Sequence, residues 1–187
     1  MMMKNLVTFC AIVLSVVMLT ACKSEKAAVQ PAQPAQVEGH YTYQHGWNYD
    51  VEEGHIDVHE TGTMDFYPDG TALDSARQVY KVVLNNGGTV MWVFNYVSPS
   101  KWRLEGEEFY FVGDKKTFRM EFLDTALDGC DESQTTELGE RILSKVRGSI
   151  DYEYKFHLDE LTEKELIWSY TYPDGHSDRW VLHRDDR

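Results

Sequence analysis

Three residues of one short segment, His55, Asp57 and His59 in "HIDVHE", are of types that bind zinc. If this segment is a β-strand, neighbouring residues of one face lie about 6.6 Å apart, and the two histidines lie about 13 Å apart. Zinc ligands lie about 2.1 Å from the metal, so one straight strand cannot supply all three. A site would need His40 or His45 from another strand. We therefore favour a polar outer face that contains histidines, and no metal is predicted.

A second group of potential metal ligands is acidic and consists of Asp124, Asp128, Asp131 and Glu132. Their carboxylates could hold calcium. Acidic residues are also favoured in the first turn of a helix, where they meet the positive end of its dipole. We interpret the four as residues of a loop and a helix start.

Signature motifs of common enzyme classes are absent from the sequence. It has no phosphate-binding glycine loop, no Gly-x-Ser-x-Gly, no His-Glu-x-x-His and no Cys-x-x-Cys. Catalytic residues can also be dispersed along a chain, because triads are defined by geometry. We predict a protein without enzymatic activity or cofactor, with a hydrolase or isomerase as an alternative.

Aromatic residues are the main candidates for a binding site. Seven of them are expected to converge on an inner face: Trp92, Phe94, Tyr152, Tyr154, Phe156, Trp168 and Tyr170. Tyrosine and tryptophan need polar partners when buried, which suits a wet or ligand-lined cavity. A core filled by side chains is the alternative, because an eight-stranded barrel is just wide enough for either.

The elements that would position these residues are short β-strands. In "IDYEYKFHLDE", the apolar residues from Ile150 to Leu158 alternate with polar ones, as in a half-buried antiparallel strand. The segment "VMWVFNYV", from Val90 to Val97, is apolar on both faces and is predicted to be covered on both. Turn residues separate such segments at short, regular intervals. This spacing predicts a mostly β, antiparallel sandwich or barrel of eight to ten strands.

One segment has helical periodicity instead. In residues 131–147, Leu138, Ile142, Leu143 and Val146 recur at the spacing of one helix face. Asp131 and Gln134 resemble a capping box, and the segment is followed by Gly148. We predict one α-helix over about 131–147, packed on the sheet or capping one end of a barrel.

The tetrapeptide Tyr-Pro-Asp-Gly occurs twice, at 67–70 and 172–175. Proline suits the second position of a β-turn, and glycine accepts the positive φ that closes a hairpin. An Asp-Gly loop can help to bind calcium, but no series of oxygen ligands accompanies it here. Both copies are therefore predicted to be turns.

The N-terminal segment indicates export. Lys4 precedes an uncharged run from Leu6 to Ala21, which is short for a membrane span but typical of a signal peptide. The segment Leu19-Thr20-Ala21-Cys22 at its end resembles a bacterial lipobox. This resemblance implies a signal peptide over 1–21 and a lipid on Cys22. Residues 22–37 are rich in Ala, Gln and Pro and are predicted to form a flexible tether. A plain signal peptide or an uncleaved anchor is the alternative.

Cysteine content and charge narrow the possible partners. Cys10 would be removed with the signal peptide and Cys22 lipidated, which leaves Cys130 without a cysteine to pair with. Residues 1–21 hold one lysine and no acid, so the remaining chain has 17 basic and 31 acidic residues, a net charge of −14. Such a surface repels phosphate backbones, and nucleic acid is not an expected partner. No protein partner is predicted from the sequence.

The chain resembles bacterial lipocalin-like lipoproteins of the broad calycin-type group. The similar segments are "GHY" at 39–41, "TGTMDFYPDGTA" at 61–72, "WRLEGEEFYF" at 102–111 and "DRWVLHR" at 178–184. The opening aromatic is Tyr41 where the group has tryptophan, and the helix precedes the last three strands instead of following the eighth. The resemblance implies an up-and-down barrel over 38–187 in which Arg184 packs over Tyr41.

The resemblance also implies a function. We expect a lipid-anchored protein of the bacterial cell envelope that binds a small apolar or amphipathic ligand in its barrel. It would be held on the outer membrane, facing the periplasm or the cell surface. The alternative is an interaction or structural module, an inhibitor or accessory subunit, whose barrel is filled.

Overall fold

A computed structural model describes residues 33–185. The predicted signal peptide, Cys22 and most of the predicted tether lie outside the described residues. Within the described range the chain forms nine strands and two helices, and all strand pairings are antiparallel. The elements in chain order are α1 (Pro34–Val37), β1 (Gly39–Val51), β2 (Gly54–Phe66), β3 (Thr71–Leu84), β4 (Thr89–Glu105), β5 (Glu108–Gly113), β6 (Arg119–Asp128), α2 (Glu132–Ser149), β7 (Tyr154–Leu161), β8 (Glu165–Thr171) and β9 (Ser177–Arg184).

The predicted fold class is confirmed, because eight of these strands close into an antiparallel barrel. Their order around the barrel is β3-β2-β1-β9-β8-β7-β5-β4, and β4 pairs again with β3. Strand β4 is long enough to have two partners on its other side: residues 100–105 pair with β5, and residues 89–97 pair with β6. Strand β6 therefore lies outside the barrel, at the free edge of the sheet.

Strands β1–β4 extend beyond the barrel, and two hydrophobic clusters lie against their inner face. The first cluster fills one end of the barrel and includes Phe66, Trp102, Phe109, Leu166 and Trp168. The second cluster lies between the extension and helix α2, whose Leu138 and Ile142 are buried against it. The predicted helix over 131–147 is confirmed as α2, which continues to Ser149.

Both Tyr-Pro-Asp-Gly segments form the predicted turns. The amide of Gly70 donates to the carbonyl of Tyr67 at 3.1 Å, and that of Gly175 donates to the carbonyl of Tyr172 at 2.9 Å. The two glycines have φ values of 80° and 90°, in the region that favours glycine. The first turn joins β2 to β3, and the second joins β8 to β9.

The junction of β1 and β9 is held by Arg184. Its guanidinium lies 5.0 Å from the centre of the Tyr41 ring, which confirms the predicted packing. It also donates hydrogen bonds to the carbonyls of Gln36 and Glu38 and to Tyr41 Oη. In the last residues of the segment predicted as a tether, α1 forms one helical turn and Val37 is fully buried in the first cluster.

Two local predictions are wrong. The strand predicted from Ile150 begins only at Tyr154, because α2 runs to Ser149 and a turn follows. The segment "VMWVFNYV" is not covered on both faces, since Met91 and Val97 are 37% and 40% exposed on the outer face. Within residues 33–185, no helix has both the length and the apolar character needed to cross a membrane.

Candidate functional site

A cavity of about 340 Å³ lies inside the barrel, between the two hydrophobic clusters, and is partly open to solvent. Eleven of its twenty lining residues are Phe, Tyr or Trp, so its surface is mainly aromatic. Six of the eleven come from the β7–β9 segment and form what we call the aromatic wall: Tyr154, Phe156, Trp168, Tyr170, Tyr172 and Trp180. Most of the remaining lining comes from inward residues of β1–β5, from Phe118 and from the end of α2, where Val146, Ser149 and Ile150 contribute.

A wider depression of about 780 Å³ lies on the outer face of β1–β4 and β9. Short polar side chains such as Thr42, Thr61, Thr63 and Ser75 form much of its surface. This depression is more open than the barrel cavity, and only two of its lining residues, Tyr43 and Tyr96, are aromatic. The barrel cavity, with enclosing walls and aromatic side chains, is the better candidate site.

The barrel cavity contains four of the seven aromatic residues that the sequence nominates. Tyr154, Phe156, Trp168 and Tyr170 line it together. Trp168 stacks on Phe156 with ring centres 5.1 Å apart, and Tyr154 meets Tyr170 edge-on at 5.7 Å. Alternation on β7 and β8 places these side chains on the inner face of the barrel.

The other three predicted residues lie elsewhere. Trp92 and Phe94 are buried in the second cluster beneath α2, because their part of β4 extends past the barrel. Tyr152 precedes β7, is 57% exposed and contacts Tyr154 edge-on at 4.9 Å. Tyr152 is thus a neighbour of the aromatic wall outside the cavity.

A buried hydrogen-bonded network forms the polar side of the cavity. Tyr43 Oη lies 2.6 Å from Glu60 Oε1 and 2.8 Å from Asp74 Oδ1. Tyr96 Oη lies 2.9 Å from the same Glu60 oxygen and 2.8 Å from Asp74 Oδ2. Gln78 Nε2 donates to the second oxygen of Glu60. Two carboxyl groups, here called the carboxyl pair, are thus held together by two tyrosine hydroxyls.

The geometry of the network leaves room for a proton on the carboxyl pair. Four short contacts join the hydroxyls of Tyr43 and Tyr96 to carboxyl oxygens, but each hydroxyl can donate only one proton. Burial and the neighbouring charge of Glu60 raise the pKa of Asp74 to about 7. Asp74 lines the cavity and Glu60 does not, so Asp74 is the carboxyl that a ligand would meet.

The position of Tyr43 in this network depends on Gly62. A Cβ atom at position 62 would lie 2.8 Å from Tyr43 Oη and 2.7 Å from the Cβ of Ala76. Small residues at 62 and 76 therefore leave room for the hydroxyl beside the carboxyl pair. Burial, together with the charges of Asp74 and Glu60, raises the pKa of Tyr43 well above its usual value, so this hydroxyl stays protonated and donates.

A second polar group lies on the β9 side of the cavity. Asp178 accepts a hydrogen bond from Tyr172 Oη at 3.4 Å and lies 3.3 Å from His45 Nε2. His45 is stacked between Trp47 and Trp180, with ring centres 5.5 and 3.9 Å away. Burial and the adjacent charge of Asp178 raise the pKa of Tyr172 to about 12.

Sequence reasoning did not nominate Tyr43, Glu60, Asp74 or Tyr96. A signal for two of them was present, because Glu60 and Asp74 occupy positions of β2 and β3 that alternation assigns to the buried face. A carboxylate on a buried face needs partners, since its desolvation is costly. His55, which was considered as a zinc ligand, lies 2.7 Å from Asp50 and 3.5 Å from Asp57, near the β1–β2 turn.

Among residues 33–185, no three His, Cys, Asp or Glu side chains are grouped so that they could hold a metal ion. No protein-family model matches the chain. A search of curated proteins also returns no significant match. The eight-stranded antiparallel barrel is compatible with a lipocalin-like fold.

Proposed function

We propose that this protein binds a small amphipathic ligand in the barrel cavity. The observation that carries the proposal is a partly open cavity of about 340 Å³ with an aromatic wall on one side and a polar network on the other. Small-molecule sites are typically concave, mostly apolar and fixed by a few polar groups, with volumes from about 300 Å³ upward. The first cluster fills the far end of the barrel, so the ligand would occupy only part of the interior.

Binding can be tested with the fluorescent probe N-phenyl-1-naphthylamine. We expect a saturable rise in its emission with one site per chain, since the probe leaves water for an aromatic cavity. Tyr170→Ala removes part of the aromatic wall and is expected to weaken binding about tenfold, roughly 1.4 kcal/mol. Tyr67→Ala is the matched control, because Tyr67 is 42% exposed at the β2–β3 turn.

Two results would count against ligand binding. One is the absence of a saturable signal together with native mass spectra that show no co-purified small molecule. The other is equal weakening by Tyr170→Ala and Tyr67→Ala, which would place the probe outside the cavity.

We also propose that the protein is attached to the bacterial cell envelope by a lipid on Cys22. Multiple acyl chains anchor a protein stably, since each buried methylene contributes about 0.8 kcal/mol. Cells fed labelled palmitate are expected to label the wild-type chain and not Cys22→Ala. Cys130→Ala is the control and should keep the label, because Cys130 lies within the folded domain beside α2. Label that persists in Cys22→Ala would exclude the anchor.

A further inference from the structure

The charged groups of the barrel cavity are unbalanced. Two acids, Asp74 and Asp178, line it, and none of the described residues around it is Lys or Arg. Glu60 lies directly behind Asp74 in the same hydrogen-bonded network. A ligand in this cavity therefore meets negative charge at its polar end and has no fixed cation to pair with.

We propose that the ligand is an organic cation whose ammonium group lies against Asp74 and whose apolar part lies between the residues of the aromatic wall. This inference rests on the proposed binding function and names the class of ligand. It differs from binding of a fatty acid or another anion, whose carboxylate would be buried beside the carboxyl pair without a partner.

Asp74 has the capacity to accept a further donor. Each oxygen of Asp74 is hydrogen-bonded to one tyrosine hydroxyl. An ionised carboxylate has about four acceptor positions, so positions remain for a ligand donor. Tyr96 lines the cavity beside Asp74, and its hydroxyl is already occupied by Glu60, Asp74 and Tyr43. Asp74 is only 8% exposed, so an ion pair with it would be poorly screened by salt.

The aromatic wall is suited to the same class of ligand. Trp180, Tyr170 and Tyr172 line the same cavity, whereas the Trp168 ring is packed on Phe109 and Phe156. A cation near the face of tryptophan or tyrosine gains about 0.5–2 kcal/mol, with the larger values for desolvated sites.

Binding of a cation here should compete with the proton of the carboxyl pair. The titratable groups that face Asp74 are Tyr43 from β1, Glu60 from β2 and Tyr96 from β4, and both tyrosines stay protonated near neutral pH. Two other titratable residues line the cavity on these sides: His45 on β1 and Asp178 on β9. An arriving ammonium would displace the shared proton, so its affinity should increase between pH 6 and pH 8.

Three matched probes separate charge from shape. They are 2-(1-naphthyloxy)ethylamine, 2-(1-naphthyloxy)ethanol and 1-naphthyloxyacetate, which share the ring and the ether oxygen and differ in charge. Each is titrated against the full chain preloaded with N-phenyl-1-naphthylamine. At pH 8 the amine is expected to displace that probe at a concentration at least about tenfold lower than the alcohol, and the acetate should be weakest.

Substitutions of Asp74 and Asp178 test which of these residues causes the preference for the amine over the alcohol. In Asp74→Asn the amine and the alcohol should bind about equally, and the affinity for the amine should no longer rise between pH 6 and pH 8. Asp178→Asn and the surface control Asp128→Asn should retain most of the preference. Loss of the preference in Asp178→Asn alone would overturn the assignment to Asp74.

The wild-type protein gives a decisive result even if a variant does not fold. An alcohol or acetate that binds as tightly as the amine would overturn the cation inference and leave ligand binding intact. Failure of all three probes and of N-phenyl-1-naphthylamine would overturn the proposed function as well.

Discussion

Replacing Phe66 by alanine is expected to lower the free energy of unfolding by about 3–5 kcal/mol. Phe66 is 3% exposed at the centre of the first cluster. Its ring meets those of Tyr41, Trp102, Phe109 and Trp168 edge-on, with centres 5.5–6.0 Å apart. The substitution removes four such contacts and leaves a cavity that rigid neighbouring rings cannot fill. Urea denaturation followed by tryptophan fluorescence measures the loss.

Phe122→Ala is the matched control for this prediction. Phe122 lies on β6 outside the barrel, is 55% exposed, and makes one edge-on contact, with Phe94 at 5.5 Å. Its removal should cost less than about 1 kcal/mol, as for most exposed positions. Similar losses in the two variants would show that the first cluster does not dominate the stability of the barrel.

Asp74→Asn is expected to stabilise the protein, relative to the wild type, by about 2–3 kcal/mol more at pH 8 than at pH 5. The pKa of Asp74 is raised from 3.8 to about 7, so the folded protein keeps a proton that the unfolded chain releases. Folding stability from this group is therefore present at low pH and is lost as the pH rises toward 7. The loss is at most about 1.4 kcal/mol per pH unit and flattens near pH 7, so it amounts to roughly 2 kcal/mol between pH 5 and pH 7.

Asparagine imitates the protonated carboxyl group, so the variant avoids this loss. Its oxygen can accept from one tyrosine hydroxyl and its amide can donate to the oxygen of the other. The control is Asp128→Asn, because Asp128 is exposed at the end of β6. The quantity to measure is the difference in unfolding free energy between each variant and the wild type at pH 5 and pH 8. A difference for Asp74→Asn that does not change with pH would contradict the raised pKa.

The strands and their inner faces could be predicted from local sequence, but the closure of the barrel could not. Alternation assigns the side chains of a strand to its two faces because successive residues point in opposite directions. Alternation does not say which strands pair. Strand β4 binds β5 with one half and β6 with the other, and this choice depends on contacts between residues far apart in the sequence.

For the candidate site too, the sequence indicates which side chains point inward but not which of them meet. Trp92 and Phe94 do point to the inner face, as the alternation indicates, but the strand is longer than the barrel wall. The carboxyl pair depends on register as well. Met64 is the partner of Asp74, and Gln78 is the partner of Glu60, so the two acids approach each other only diagonally across β2 and β3. No local pattern fixes that offset.

The aromatic wall is joined to the rest of the barrel by two short ladders. Strand β9 pairs with β1 only over residues 41–43, and β7 pairs with β5 only over residues 108–111. Swinging the β7–β9 unit outward would break few backbone hydrogen bonds, but it would also expose Leu158, Leu166, Trp168 and Leu182 of the first cluster, so this motion costs a large part of the free energy of unfolding. A cavity occupant would therefore exchange through the opening that the cavity already has to solvent, while the aromatic wall stays packed on the first cluster.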